Sequence, residues 1–392
     1  MQASRLLQNI ITKSCFIHKK RLEVLLTAGE TLVKCCRLSV VGLGRGLINK
    51  VKTKHNINRM DRLIGNKHLF KESLDIQRST ASLLIGNKIR PIILVDWSSA
   101  TIAEKYQLLR AALPVGGRSL TVYEEVHTLK KYNNPRVQKQ FLNNLSKVLP
   151  KQCRPIIVTD AGFGTPWFKD ILNLGWNFVG RLINNSHYTK DFKKWSSLDS
   201  LLKYRSPVIK QLGEIFLSKK HELKCYLQTH KEPKKGRIKK NFYGKKTAGS
   251  DSKRNAKSAR NAWVLAHSLG KSKQTATKVV KIYAARMQIE ESFRDIKSPQ
   301  FGFGLKYSRS MGIKRLTNLF LIGLIGTLIA WLIGLCAKNR NLHYALQTNT
   351  IRRRNVLSVF FIGCQIIMYP IRFSKIEFLD AIKQIKEFAN VY

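Results

Sequence analysis

Residues 319–337, LFLIGLIGTLIAWLIGLCA, run for 19 positions without a charged side chain. A helix of that length and character either crosses a bilayer or lies buried on all sides inside a large domain or dimer. Lys314 and Arg315 precede it and Lys338 and Arg340 follow it, so flanking charge gives no orientation. On this segment alone both settings stay open.

The rest of the 392-residue chain is dominated by charge of one sign. Lys and Arg number 71 against 23 Asp and Glu, a formal net charge of +48, while 44% hydrophobic residues supply ample core. A wholly disordered basic tail is excluded by that apolar content. An excess this large repels itself in a compact state and calls for a polyanionic partner, nucleic acid first and an anionic membrane surface second. The seven Cys form no C-x-x-C pair, so neither a disulfide framework nor a zinc ribbon is indicated. The opening MQASRLLQNIITKSCF lacks a long apolar core with a small-residue cleavage site. The expected compartment is a reducing cytoplasm.

Along the chain, residues 1–80 read as helical and basic. SVVGLGRGL (39–47) and KTKHNINRMDRLI (52–64) predict two short helices that crowd Lys52, Lys54, His55, Asn58, Arg59 and Arg62 onto one surface. That pattern suits either a helix-turn-helix or a solvated helical face. From 90 onward, strands are predicted at RPIILVDW (90–97), QLLRAALPV (107–115), RSLTVYEEV (118–126), RPIIVTDAGFG (154–164) and GWNFVGRLI (175–183). Gly116-Gly117 marks a hairpin, and Val137, Phe141, Leu145 and Val148 are spaced as one helical face. The layout is α/β with a mixed sheet. Residues 231–260 carry twelve Lys or Arg and only Glu232 and Asp251, a basic loop suited to lie against phosphates. Strand pattern resumes at NAWVLAHSL (261–269), one long helix is predicted over 273–297, and a basic knot, IRRRN, stands at 351–355.

With so few acids, the place of each is informative. Asp96 and Asp160 each close a predicted apolar strand, which puts both carboxylates at one edge of a sheet. Either they are turn formers, or they share divalent cations that offset their repulsion. Glu290 or its neighbour Glu291 would complete a two-metal site for in-line phosphoryl transfer. Tyr283, Arg286, Glu290 and Lys297 follow Y-x2-R-x3-E-x6-K, one face of a continuous helix. The stripe suits a metal-holding Glu flanked by phosphate-gripping groups, and it also suits ordinary surface ion pairing.

VDW at 95–97, VTDAGF at 158–163, WVLA at 263–266 and YAARMQIEESFRDIKSP at 283–299 together resemble the bacterial DDE transposases of the insertion-sequence-four family. KTKHNINRMDRLIGN near the start and NTIRRRNVLS near the end extend the resemblance over nearly the whole chain. It implies an α/β, ribonuclease H-like catalytic core with a β-rich insertion, flanked by an N-terminal helical DNA-binding domain and a C-terminal helical region. The implied boundaries are 1–80 for DNA binding, 81–184 and 263–315 for the core, 185–262 for the basic insertion, and 316–392 for a dimerisation region.

Carried over residue by residue, the catalytic and metal-binding triad is Asp96, Asp160 and Glu290. Tyr283, Arg286 and Lys297 contact DNA near the cleaved end, Trp263 stacks on a flipped base, and Arg181 touches the DNA backbone. The implied cofactor is a pair of Mg²⁺ ions, with Mn²⁺ as an alternative, and the implied partners are terminal repeats, target duplex and a second copy of the chain. The resemblance also implies that 319–337 is a buried helix rather than a membrane span, in a bacterial cytoplasmic protein associated with the nucleoid. Two other classes share the acids: a nuclease that cuts without strand transfer, and a DNA-binding relic. The first needs no Trp263, and a relic should have lost at least one of the triad.

Overall fold

The computed structural model describes residues 2–101, 103–183, 186–204, 206–231, 262–348 and 355–388. The basic run from 232 to 260 and the arginines of the knot at 351–354 lie outside the described residues. The chain divides into two compact units, one of Met1–Cys153 with Met287–Val391 and one formed by Arg154–Arg286. The fold is mixed α/β, as the strand and helix patterns predict.

The first unit opens with helices α1 (Gln2–Ser14), α2 (Lys19–Cys35), α3 (Val40–Gly46), α4 (Thr53–Ile64) and α5 (Lys67–Ile85). Ser39 and Asn66 cap α3 and α5 by accepting backbone N–H bonds at the first turn. Lys52, Lys54, His55, Asn58, Arg59 and Arg62 are all exposed on or beside α4. Strands β1 (Ile92–Ser99), β2 (Tyr106–Pro114) and β3 (Ser119–Thr128) pair antiparallel in sequence order. Gly116 and Gly117, with φ of 75° and 95°, make the turn between β2 and β3. Only glycine adopts that pair of conformations without steric cost. Helix α6 (Pro135–Val148) buries Phe141, Leu145 and Val148.

The 19-residue apolar run lies in a longer helix of this unit, Ile313–Asn339. This helix is long and apolar enough to cross a membrane, and from Asn318 to Ala337 every residue but Thr327 is buried within the protein. Its cover comes from α1, α2, α4, α5 and β3, and from two later helices, Val359–Ile366 and Lys375–Phe388. Close approach is achieved through glycine. A Cβ on Gly334 would collide with the Val359 carbonyl, and one on Gly363 with the Ala330 carbonyl. Gly29 of α2 has no room for a side chain beside Ile325. The buried Asn318 donates to the carbonyls of Ile64 and Asn66, both at 2.9 Å, satisfying the end of α4.

In the second unit, β4 (Ile156–Thr159) runs parallel to β5 (Asn177–Leu182), with α7 (Thr165–Asn173) between them in sequence. Then come β6 (His187–Thr189), β7 (Ser196–Ser197), the short α8 (Asp199–Leu202), β8 (Lys210–Leu217) and β9 (Leu223–His230). Strand β10 (Trp263–His267) lies between β5 and β9, antiparallel to both. Phe168 of α7 stacks on Phe178 with ring centroids 4.5 Å apart, in space left by the missing side chain of Gly180. Helix α9 (Lys273–Ala284) completes this unit, and Gln228 donates to the Ala276 carbonyl at 3.0 Å.

Two expectations are corrected. The strand through Asp96 does not stop there: Ser98 and Ser99 continue the ladder opposite Leu108 and Gln107, so Asp96 is an interior position of β1. The helix predicted over 273–297 is two helices, α9 and then α10 (Met287–Lys297). At the break the Arg286 N–H turns back to the Tyr283 carbonyl at 3.0 Å, an i−3 bond that closes α9. Tyr283 and Arg286 therefore do not share one continuous helical stripe with Glu290 and Lys297. Helices 313–339, 359–366 and 375–388 are α11, α12 and α13 below.

Candidate active site

In the first unit the candidate residues gather on β1 and α10. Asp96 is half-buried, and its Oδ1 accepts the Trp97 N–H at 2.8 Å. Lys297, in the last turn of α10, donates to Ser98 Oγ at 2.6 Å and lies 5.5 Å from the Phe293 ring centroid. Burial, and then the charge of Arg110, press the Lys297 ammonium down to about 8, while the nearby Asp96 acts in the opposite direction. Ser98 shares the Asp96 face of β1, two residues on.

Helix α10 is fixed to the β2–β3 hairpin along one face. Gln288 Oε1 accepts the Val115 N–H at 3.1 Å, and Ser292 Oγ accepts the Ser119 N–H at 2.7 Å. Asp295 accepts from Arg118 Nε at 2.8 Å. Positions 288, 292 and 295 follow helical spacing, so they leave Glu290 on another face, exposed. Its neighbour Glu291 is engaged by Arg294 at 2.9 Å and by Arg118 at 3.4 Å. Glu291 is thus committed to ion pairing on the hairpin side.

In the second unit Asp160 immediately follows β4, as its sequence predicts, and accepts the Gly162 N–H at 2.8 Å. Tyr283 of α9 lies near enough to feel its charge, and residues of β5 and β10 gather about that tyrosine. Trp263 and Tyr283 meet at 4.8 Å between ring centroids, and the Arg286 guanidinium is 6.0 Å from the Tyr283 ring. Burial raises the Tyr283 hydroxyl above its ordinary value, while Arg286 and a hydrogen-bonded Arg181 pull it down and Asp160 adds to the rise. Arg181 Nε is buried with no hydrogen-bond partner among the described residues. His230 adds a ring 5.9 Å from Trp263.

The structure thus groups Asp160, Arg181, Trp263, Tyr283 and Arg286 in the second unit. It groups Asp96 with Lys297 in the first, which also carries Glu290. Sequence reasoning missed Ser98, Arg110 and His230. A signal existed for Arg110: a charge inside the apolar run QLLRAALPV needs a buried partner, and VYEEV offers one.

Among the described residues, no group of three or more His, Cys, Asp or Glu side chains converges closely enough to hold a metal ion. The donor chemistry of Asp96, Asp160 and Glu290, all carboxylate oxygen, suits a hard divalent cation.

The mixed α/β fold, with its sheet and flanking helices, is consistent with a ribonuclease H-like core. Residues 87–323, more than half of the chain, match the family described as the transposase DDE domain. The chain belongs to that family, whose members are metal-dependent enzymes that cleave DNA and transfer its strands. A search of curated proteins found no match.

Proposed function

We propose that this chain is a cut-and-paste transposase of the insertion-sequence-four family, resembling the transposase of transposon ten. It binds the terminal inverted repeats of its element, excises the element through a hairpin intermediate and joins it to target DNA. The observation that carries this reading is the cluster of Trp263, Arg181 and Arg286 about Tyr283, which also feels the charge of Asp160. A plain nuclease needs the acids alone. An indole beside phosphate-binding cations is what a displaced base at a bent DNA end requires.

Asp96, Asp160 and Glu290 would hold divalent metal, Mg²⁺ in the cell with Mn²⁺ able to replace it. Bound there, such ions supply activation of the attacking oxygen and charge stabilisation for the leaving one. Tyr283, Arg286 and Lys297 grip phosphates beside the scissile bond, and Arg181 braces the Tyr283 hydroxyl while contacting the backbone. Trp263 returns stacking energy to the base that hairpin formation expels. First, water cleaves one strand and leaves a 3′ hydroxyl. That hydroxyl attacks the opposite strand, closing the hairpin and releasing the flanking DNA. A second water reopens the hairpin, and the same 3′ hydroxyl then attacks target DNA. Each step is an in-line exchange of oxygens at phosphorus, so one set of acids serves all four.

In this scheme residues 1–80 read the repeat through the basic face of α4, residues 81–184 with 263–315 form the catalytic core, and the insertion 185–262 follows the DNA backbone. Residues 316–392 supply the contacts of a homodimer that pairs two element ends. The setting is the bacterial cytoplasm, at the nucleoid.

The test is cleavage of a labelled duplex carrying the element's flanking terminal repeat, with Mg²⁺, by wild type and Glu290→Gln. Hairpin-capped product from wild type alone is expected. Nicks at arbitrary sites without hairpins would replace this reading with the nuclease. Tight, salt-sensitive binding with no cleavage by either protein would replace it with the relic.

A further inference from the structure

Three neighbouring strands of the first unit carry alternating charge at one level. Asp96 on β1 stands directly across from Arg110 on β2, and Arg110 directly across from Glu124 on β3. Arg110 and Glu124 are 2% and 6% exposed. Nε and Nη2 of Arg110 both donate to one Glu124 oxygen, at 2.8 and 2.7 Å. The Glu124 N–H is in turn held by Gln77 Oε1 of α5 at 2.8 Å. Over the guanidinium lies Phe293 of α10, its centroid 4.8 Å away, one turn from both Glu290 and Lys297.

A buried ion pair is a poor way to stabilise a protein. The desolvation of both charges offsets most of their attraction, and apolar residues of similar volume serve equally well. Charge at this level therefore needs a second reason, and the ladder supplies one. Directly opposed residues on antiparallel strands have Cβ atoms about 5 Å apart. Arg110 is permanently charged, and its planar fork is locked by Glu124, so its field reaches Asp96 from a fixed point.

We propose that Arg110 is a positioning residue: clamped by Glu124, it fixes the Asp96 carboxylate and, through Phe293, the helix that carries Glu290. The proposal rests on the reading of Asp96 and Glu290 as metal-holding catalytic acids. Arg110 itself touches neither DNA nor metal in this scheme. Its contribution is that the two acids of the first unit are preset before DNA and metal arrive.

The experiment compares full-length wild type with R110M/E124L, which replaces the pair by apolar groups of similar volume. Three quantities are read: the unfolding midpoint, metal-free binding to a terminal-repeat duplex, and the rise in midpoint that Mn²⁺ produces without DNA. The Mg²⁺ concentration for half-maximal cleavage is a fourth. The double variant is expected to melt and bind DNA like wild type. It should nonetheless need about tenfold more Mg²⁺ and lose most of the Mn²⁺-induced rise, the size expected when a group behind a metal ligand is removed. Wild-type metal dependence in a stably folded double variant would overturn the proposal. Should the double variant melt lower, Arg110→Lys carries the test, since it keeps the charge without the fork. It is then expected to give a smaller shift in the same direction, and an unchanged metal requirement would overturn the proposal. Asp96→Asn separates the two levels. A dead Asp96→Asn beside a metal-unaffected double variant overturns Arg110 positioning alone, whereas wild-type cleavage by Asp96→Asn overturns the catalytic reading and this proposal together.

Discussion

Trp263 and Tyr283 meet edge to face, ring centroids 4.8 Å apart and planes at 72°. Arg181 lies beside the Tyr283 hydroxyl, and the Arg286 guanidinium is 6.0 Å from the centroid of the same ring. The indole is thus steadied by a phenol whose own polar end is held by cation. On the proposed mechanism, in which Trp263 stacks on an expelled base, the indole gains from being rigid before the base arrives.

This arrangement predicts a step-specific defect. Trp263→Ala should nick the first strand near the wild-type rate but form hairpin roughly 5- to 150-fold more slowly, as expected for about 1–3 kcal/mol of lost base stacking. Trp263→Phe should recover most of the difference. Time courses on a labelled repeat, resolving nick from hairpin, check this. Equal slowing of both steps would show that Trp263 serves folding or general DNA binding instead.

A second prediction concerns acid stability. His267 is buried on β10, stacked against Tyr226, and burial depresses its imidazole to about 4 from an ordinary 6.5. The folded protein then keeps His267 neutral while the unfolded chain takes up a proton below about 6.5. Stability contributed by this site is therefore full above that value and is lost as pH falls toward 4, by about 3 kcal/mol in total. Denaturant midpoints at pH 7, 5.5 and 4.5 should fall less steeply in His267→Gln than in wild type. Parallel curves would refute the assignment.

Helix packing gives a third. Gly334 and Gly363 each face a carbonyl of the other helix, Val359 and Ala330 respectively, with no space for a methyl group. Gly334→Ala and Gly363→Ala should each destabilise by about 1–3 kcal/mol or more, because the obstruction is backbone and cannot rotate away. Gly323→Ala should cost less, since its nearest neighbour is the flexible end of Leu38 at 3.3 Å. Thermal melts of the three variants decide it, and a neutral Gly334→Ala would contradict the packing.

A fourth addresses the exposed basic face of α4. Arg59→Ala and Arg62→Ala should weaken binding to all duplexes and flatten the plot of log affinity against log salt by about one for each phosphate no longer gripped. A change confined to the terminal repeat would instead mark recognition of a base.

How much of this could be read beforehand depended on whether a feature is local. The hairpin at Gly116-Gly117, the amphipathic face of α6 and the acid after β4 follow from residues a few positions apart, and all three formed where predicted. The break after α9 did not announce itself. Apolar spacing runs on through Ile282, Ile289, Phe293 and Ile296, and the interruption rests on one i−3 backbone bond at Arg286. Asp96 was misplaced to a strand end because Ser98 and Ser99 look like loop residues, yet they pair with β2. The Asp96–Arg110–Glu124 ladder depends on two cross-strand registers at once, and register is a property of the folded sheet.

The buried course of α11 bears on how the protein is made. Translation releases α1, α2, α4, α5 and β3 before α11, and α12 and α13 after it. The earlier elements must wait with apolar surface uncovered until residue 313 and beyond emerge, and the last-made helices then close over the result. A chain that stops short of residue 313 leaves these elements without the helix they pack against, their apolar surface open to aggregation and proteolysis, so shortened products should not persist.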